Sequence, residues 1–198
     1  MGRRTSRGRN DRGSPSGRLR IVAGKWRSRL LSVADEPGLR PTPERIRETL
    51  FNWLASTIEG SRCLDLFAGT GALGFEALSR GAGGVVFVEN SARAAALLKE
   101  SAKMLDASDA RIHEVDAISY LHGDHKPFDI VFLDPPFTAD LLGDLCRLLD
   151  EGRWLAEGAR VYLEQARERP WPGLPDGWTI INDKTAGQVR YALVTVKE

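Results

Sequence analysis

The chain has 198 residues, 42% of them hydrophobic, enough for one full core and too few for two, so one main domain with a small attachment is expected. Its net charge of +1 conceals a basic first fifty residues totalling +8 and a remaining 148 totalling −7, so the front end is suited to meet a polyanion. No apolar run is long enough for a membrane helix, the Arg-rich start lacks the apolar segment of a secretory signal, and Cys63 and Cys146 have no C-x-x-C spacing, which together predict a soluble cytoplasmic protein with free thiols.

Residues 1–17 are low-complexity in Arg, Gly and Ser and are expected to form a disordered arm that can order on nucleic acid. Residues 18–41 carry short extended apolar runs around Ala23-Gly24-Lys25-Trp26, which predicts a β-hairpin with Lys25, Arg27 and Arg29 on a basic edge. Residues 42–198 read as the main domain. It starts with a helix over 42–58, with Thr42 as N-cap, Pro43 at the first helical position, an apolar face of Ile46, Leu50, Trp53 and Leu54, and Arg45 and Arg47 off that face. From residue 62 the pattern alternates: strands over 63–67, 85–89, 111–115, 128–133 and 159–164, with helices over 71–79, 91–106, 117–121 and 140–149. Two final runs over 178–181 and 189–196 read as an antiparallel pair. Repeated βα units predict an α/β fold, a mostly parallel sheet covered by helices on both faces.

The first strand leads into Asp65-Leu66-Phe67-Ala68-Gly69-Thr70-Gly71-Ala72-Leu73-Gly74, a G-x-G-x-x-G loop, and Glu89 lies eighteen residues past Gly71 at the end of the second strand. Such a loop with a carboxylate for ribose hydroxyls indicates an adenosine-containing ligand, with Phe67, Ala68, Gly69 and Gly71 around it. Asp65 would repel a dinucleotide's pyrophosphate but suits the ammonium and sulfonium of S-adenosylmethionine. Asp116-Ala117, after the third strand, can meet the adenine edge, although Asp116 also fits a helix N-cap.

After the fourth strand comes Asp134-Pro135-Pro136-Phe137. Asp134 and the Pro135 carbonyl can accept the two hydrogens of an exocyclic amine, the successive prolines stiffen the corner and remove competing N–H donors, and Phe137 can stack on the ring. This predicts methylation of a nucleobase amino group by proximity and electrostatics, without a metal. The pair His122 and His125 with Asp124 lacks a fourth ligand and reads as a polar loop.

With these strand ends in place, the chain resembles class I S-adenosylmethionine-dependent methyltransferases. More narrowly, it resembles the RsmD-type enzymes that methylate guanine N2 in 16S ribosomal RNA. The resemblance spans about residues 19–196 and rests on Arg40-Pro41-Thr42 leading into Arg45-Ile46-Arg47-Glu48-Thr49-Leu50-Phe51-Asn52, on the glycine loop, on Glu76-Ala77-Leu78-Ser79-Arg80-Gly81-Ala82 and on Asp134-Pro135-Pro136-Phe137. It implies a Rossmann-like, seven-stranded sheet with its last strand antiparallel, and 16S rRNA of the small ribosomal subunit or its assembly intermediate as partner. Phe137 stands where that family often has tyrosine. Lys25, Arg27, Arg29, Arg40, Thr42 and Arg45 are the candidate RNA contacts, and a monomer suffices. Adenine-N6 methylation, an NAD-linked oxidoreductase and a non-catalytic RNA-binding protein are the competing readings.

Overall fold

The structure, a computed structural model, describes residues 17–33 and 41–197. The arginine-rich arm and Arg40 lie outside the described residues. A two-stranded hairpin, β1 (Gly17–Arg20) and β2 (Leu30–Val33), precedes α1 (Glu44–Trp53). The alternating part then runs β3 (Arg62–Asp65), α2 (Ala72–Ser79), β4 (Gly84–Glu89), α3 (Ala92–Leu105), β5 (Ala110–Glu114), α4 (Ala117–Tyr120), β6 (Phe128–Leu133), α5 (Leu142–Glu151), β7 (Leu155–Ala166), β8 (Trp178–Ala186) and β9 (Val189–Val196).

The seven strands of the main sheet lie in the order β5-β4-β3-β6-β7-β9-β8. The first five are mutually parallel, and β9 runs antiparallel to both β7 and β8. Chain order reverses between β3 and β6, so the crevice beyond their C-terminal ends is the topological switch point where ligands bind in such sheets. A central parallel strand must be apolar on both faces. In β6, Ile130 and Phe132 enter one core with Phe51, Phe75, Phe87 and Tyr162, while Val131 and Leu133 enter the opposite core with Leu145, Leu149 and Trp154. Cys63 and Cys146 are buried free thiols, and burial pushes both up to about 12.

The hairpin is fastened to α2. Lys25 donates its backbone N–H to the Ser79 carbonyl at 2.7 Å, and Trp26 donates to Ser79 Oγ at 3.0 Å. Val22 and Ala23 donate to the two Glu76 oxygens at 2.8 and 3.0 Å. Ile21, Trp26, Leu31 and Val33 are buried in the same core as α1 and α2.

Several sequence expectations are corrected. Thr42 does not cap α1: Pro43 occupies the cap position with extended backbone and no side-chain cap bond. Thr42 is one residue too early, and its carbonyl accepts from Arg47 Nε at 3.1 Å. The helix ends at Trp53 rather than near 58, because the chain passes into turns in which Thr57 and Ile58 both donate to the Leu54 carbonyl. Leu54 and Ile58 stay buried through those turns. Arg47, expected off the apolar face, is buried, with Nη1 3.2 Å from Glu76 Oε2 and Nη2 donating to the Arg20 carbonyl at 2.9 Å.

Candidate active site at the sheet switch point

Asp65 closes β3 and is buried. Its Oδ2 accepts the Gly74 backbone N–H at 2.9 Å. Burial raises its carboxyl to about 7, the Gly74 N–H opposing this and the negative charge of Glu89 adding to it. The loop after β3 folds back tightly: Ala68 donates to the Val88 carbonyl at 2.9 Å and Gly71 to the Ala68 carbonyl at 2.6 Å. Gly69 and Gly71 take φ of 49° and 75°, left-handed values that glycine adopts at little cost.

Glu89, at the end of β4, is held from both sides. Oε2 accepts from the Gly69 N–H and Oε1 from the Ser91 N–H, each at 2.7 Å. Each carboxylate oxygen keeps a further acceptor site, which fits a diol at that strand end. Asp116 caps α4, its Oδ1 accepting from Ser119 N at 3.0 Å, and Ala117 is buried behind it. The capping role therefore occupies one oxygen of Asp116 and leaves Oδ2 at the strand end.

Asp134 follows β6, next to Asp65 across the switch point. Its Oδ1 is buried and has no hydrogen-bond partner among the described residues. An unpaired buried acceptor costs about 1–3 kcal/mol, so this atom calls for a donor from outside the chain. Burial, then Asp65, Glu164 and Glu89, raise its carboxyl well above the ordinary range. Pro135 is buried and Pro136 exposed, and Phe137 is 37% exposed, an uncovered aromatic face beside that acceptor.

The acids at four strand ends, Asp65, Glu89, Asp134 and Glu164, thus converge on one side of the sheet. An acidic, partly desolvated crevice fits a cation-bearing ligand such as S-adenosylmethionine and opposes a pyrophosphate. Glu164 had no assigned role in the sequence, yet it was marked there by the same sign as the others, an acid ending an apolar strand. Glu76 carried a different signal, an acid inside the otherwise apolar helix Ala72–Ser79, which must find partners when buried. Its partners are Val22, Ala23, Arg47 and Arg80, the last with Nε at 2.7 Å.

The candidate RNA contacts separate into groups. Lys25, Arg27 and Arg29 are exposed on the hairpin turn, and Lys25 Nζ lies 5.3 Å from the Trp26 ring centroid. Arg45 is exposed on α1, whereas Thr42 is buried and supports Arg47 from beneath. An open hollow of about 370 Å³ beyond β7 is lined by charges of both signs, Arg167 beside Glu168 and Arg190 paired with Asp183, with Lys184 between them. His122 and His125 do not converge on a common centre: His122 Nδ1 lies 2.7 Å from the Ile118 carbonyl oxygen, and His125 stacks on Trp154 with ring centroids 3.6 Å apart.

Residues 19–195 match the family model described as conserved hypothetical protein 95. Over 180 residues the chain is 47% identical to ribosomal RNA small subunit methyltransferase D of Escherichia coli K12, covering 91% of each chain. It is 44% identical over 181 residues to the protein of the same name from Haemophilus influenzae, covering 89% of this chain and 93% of that one. The solved structure of yhhF from Escherichia coli superposes with a TM-score of 0.86 at 42% identity, covering 91% of this chain and 99% of that one. A seven-stranded methyltransferase sheet with four acids at its switch point, matched at this identity over nine-tenths of its length, places the chain in the conserved hypothetical protein 95 family, that of the small-subunit ribosomal RNA methyltransferases D.

Proposed function

We infer that the protein transfers a methyl group from S-adenosylmethionine to the exocyclic N2 of a guanine in 16S rRNA of the small ribosomal subunit. The observation that carries this reading is the buried, unpaired Oδ1 of Asp134 beside the Pro135 carbonyl, two acceptors for the two hydrogens of one amine. The family membership narrows the substrate to small-subunit RNA. S-adenosylmethionine, when bound, supplies a methyl group activated by a positive sulfur.

Each residue then has a task. Asp65 and Asp134 offset the positive charge of the donor, Glu89 accepts from its ribose hydroxyls, and Asp116 with the Ala117 N–H meets its adenine edge. The glycine loop from Phe67 to Gly71 lets the backbone approach closely. An aromatic amine is a poor nucleophile because its lone pair is delocalised into the ring. Accepting both hydrogens at Asp134 and Pro135 turns the lone pair out of conjugation and aims it across the switch point. Pro135 and Pro136 hold that geometry stiffly. The positive charge passes to the amine on transfer, and Asp134, with its raised pKa, is suited to take the departing proton. Phe137 stacks on the base, which must leave its helix to arrive there. Lys25, Arg27, Arg29 and Arg45, together with Arg40, contact phosphates, and the protein works in the cytoplasm as a monomer.

The test is transfer of labelled methyl to small-subunit particles and to naked 16S RNA, both lacking their native methyl groups, with Asp134→Ala in parallel and digestion to nucleosides. N2-methylguanosine that disappears with the variant supports the reading. Label in N6-methyladenosine would reassign the target amine, and full activity of Asp134→Ala would remove the catalytic assignment.

A further inference from the structure

β7 runs parallel to β6 with Leu163 opposite Leu133, so the next residue on each strand, Glu164 and Asp134, reaches the same end of the sheet. Tyr162 precedes Glu164 by two and therefore shares its face. The fully buried Tyr162 hydroxyl donates to Glu164 Oε2 at 2.6 Å. This is the one side-chain hydrogen bond made by Glu164 among the described residues, and it leaves Oε1 as a free acceptor. Glu164, Pro135, Pro136, Phe137, Gln165 and Arg169 border one recess. Its interior, about 10 Å³, has room for about one water, and Asp134 is not among its lining residues, so a docking base stays at its mouth, beside Phe137.

Resting on the guanine-N2 reading above, we propose that Glu164 selects the target base: its Oε1 accepts the N1–H of guanine while Asp134 and the Pro135 carbonyl hold the neighbouring amine. The chemistry of the two purines separates them at this point. Guanine places an N1–H donor next to its amine, so two adjacent donors meet two adjacent acidic acceptors. Adenine places a bare N1 lone pair next to its amine, and that lone pair would face a carboxylate oxygen. Such a mismatch leaves a buried acceptor unpaired, which discriminates more strongly than the loss of an attractive contact. Tyr162 is a positioning residue here, because its bond to Oε2 fixes which oxygen turns toward the base. Burial raises the Glu164 carboxyl, partly offset by the Tyr162 hydroxyl, so an added N–H donor relieves a desolvated group as the base docks.

The experiment compares small-subunit particles assembled with guanine or with 2-aminopurine at the methylated position. 2-Aminopurine keeps the amine but lacks the N1–H. The wild-type protein is expected to lose roughly 10- to 100-fold in kcat/KM on 2-aminopurine, the loss of one hydrogen bond to a charged group. In Glu164→Gln the amide oxygen keeps the Tyr162 hydroxyl and the amide nitrogen faces the base, which repels N1–H and accommodates a bare N1. Its guanine rate should fall and its guanine-to-2-aminopurine ratio should close to within about 3-fold, both read at saturating S-adenosylmethionine. A wild-type protein indifferent to the substitution, or a Glu164→Gln ratio equal to the wild-type ratio, overturns the proposal while leaving guanine methylation standing. Failure of the wild-type protein to form N2-methylguanosine on the guanine particle is a separate result, and it removes the functional reading together with this assignment.

Discussion

Gly74 donates its backbone N–H to Asp65 Oδ2 at 2.9 Å, so the acid that closes β3 is tied to the first turn of the helix that follows it. The approach depends on a missing side chain, because a Cβ on Gly74 would overlap the Phe87 ring on β4. Gly74→Ala should therefore push α2 off the sheet and cost about 1–3 kcal/mol. Urea unfolding would register the cost, and titration with S-adenosylmethionine would show weaker binding, since Asp65 moves with the helix.

Stability of the unliganded protein should fall as pH rises from about 4 to about 7. The folded carboxyl of Asp65 sits near 7 against about 3.9 unfolded, so within that window the folded state holds a proton that the unfolded chain releases. The contribution is fully present below the unfolded value, is lost on passing the folded value and is of order 4 kcal/mol. Asp134 and Glu164, also raised, act in the same direction. Asp65→Asn should flatten the profile and weaken binding of the cationic donor, whereas wild-type binding at pH 6 should release protons, measurable by calorimetry in buffers of different ionisation enthalpy.

Arg47→Met should destabilise by roughly 3–5 kcal/mol, the usual cost of removing one partner from a buried ion pair. Arg47 is held charged against its own desolvation by Glu76, and burial lowers its pKa. The loss should be local as well as global. The amides of Val22 and Ala23, which donate to Glu76, should lose hydrogen-exchange protection before those of β6 do.

The repeat of strand and helix, the order of the elements and three of the four acids at the switch point are legible because apolar runs and glycine loops are local signals. Arg47 is not legible in the same way. Helical periodicity assigns polar side chains to the water face, and the burial of Arg47 is made tolerable by Glu76 together with the Thr42 and Arg20 carbonyls, two of these three partners lying far off in sequence. Strand lengths fail for a related reason. β8 extends to Ala186 through Asn182, Asp183 and Lys184 because an edge strand needs pairing with β9 on one side and not burial on both. β7 begins at Leu155 rather than 159 because a register irregularity lets Leu155 pair with Phe128 and Arg160 with Ile130. Neither pairing is written in the periodicity of its own segment.

Replacing Lys25, Arg27 and Arg29 together by Gln should leave stability within about 0.5 kcal/mol, since all three are exposed. KM for the RNA substrate should rise. The slope of log affinity against log salt should become shallower by about 2 to 3, the counterions of three phosphate contacts. An unchanged slope, read from binding at several salt concentrations, would take these side chains out of the RNA interface.

The fastening of the hairpin to Glu76 also orders events in time. Val22 and Ala23 leave the peptidyl transferase centre 54 and 53 residues before the acceptor that will hold them. Until α2 has followed, Ile21, Trp26 and Leu31 have no surface to cover, and the basic turn travels as a loose, charged nascent segment. Tyr191, opposite Glu164 on β9, arrives later still. A ribosome translating this message thus releases the basic hairpin first and the strand that pairs with Glu164 last, so the acids at the switch point are brought together only after nearly the whole chain has emerged.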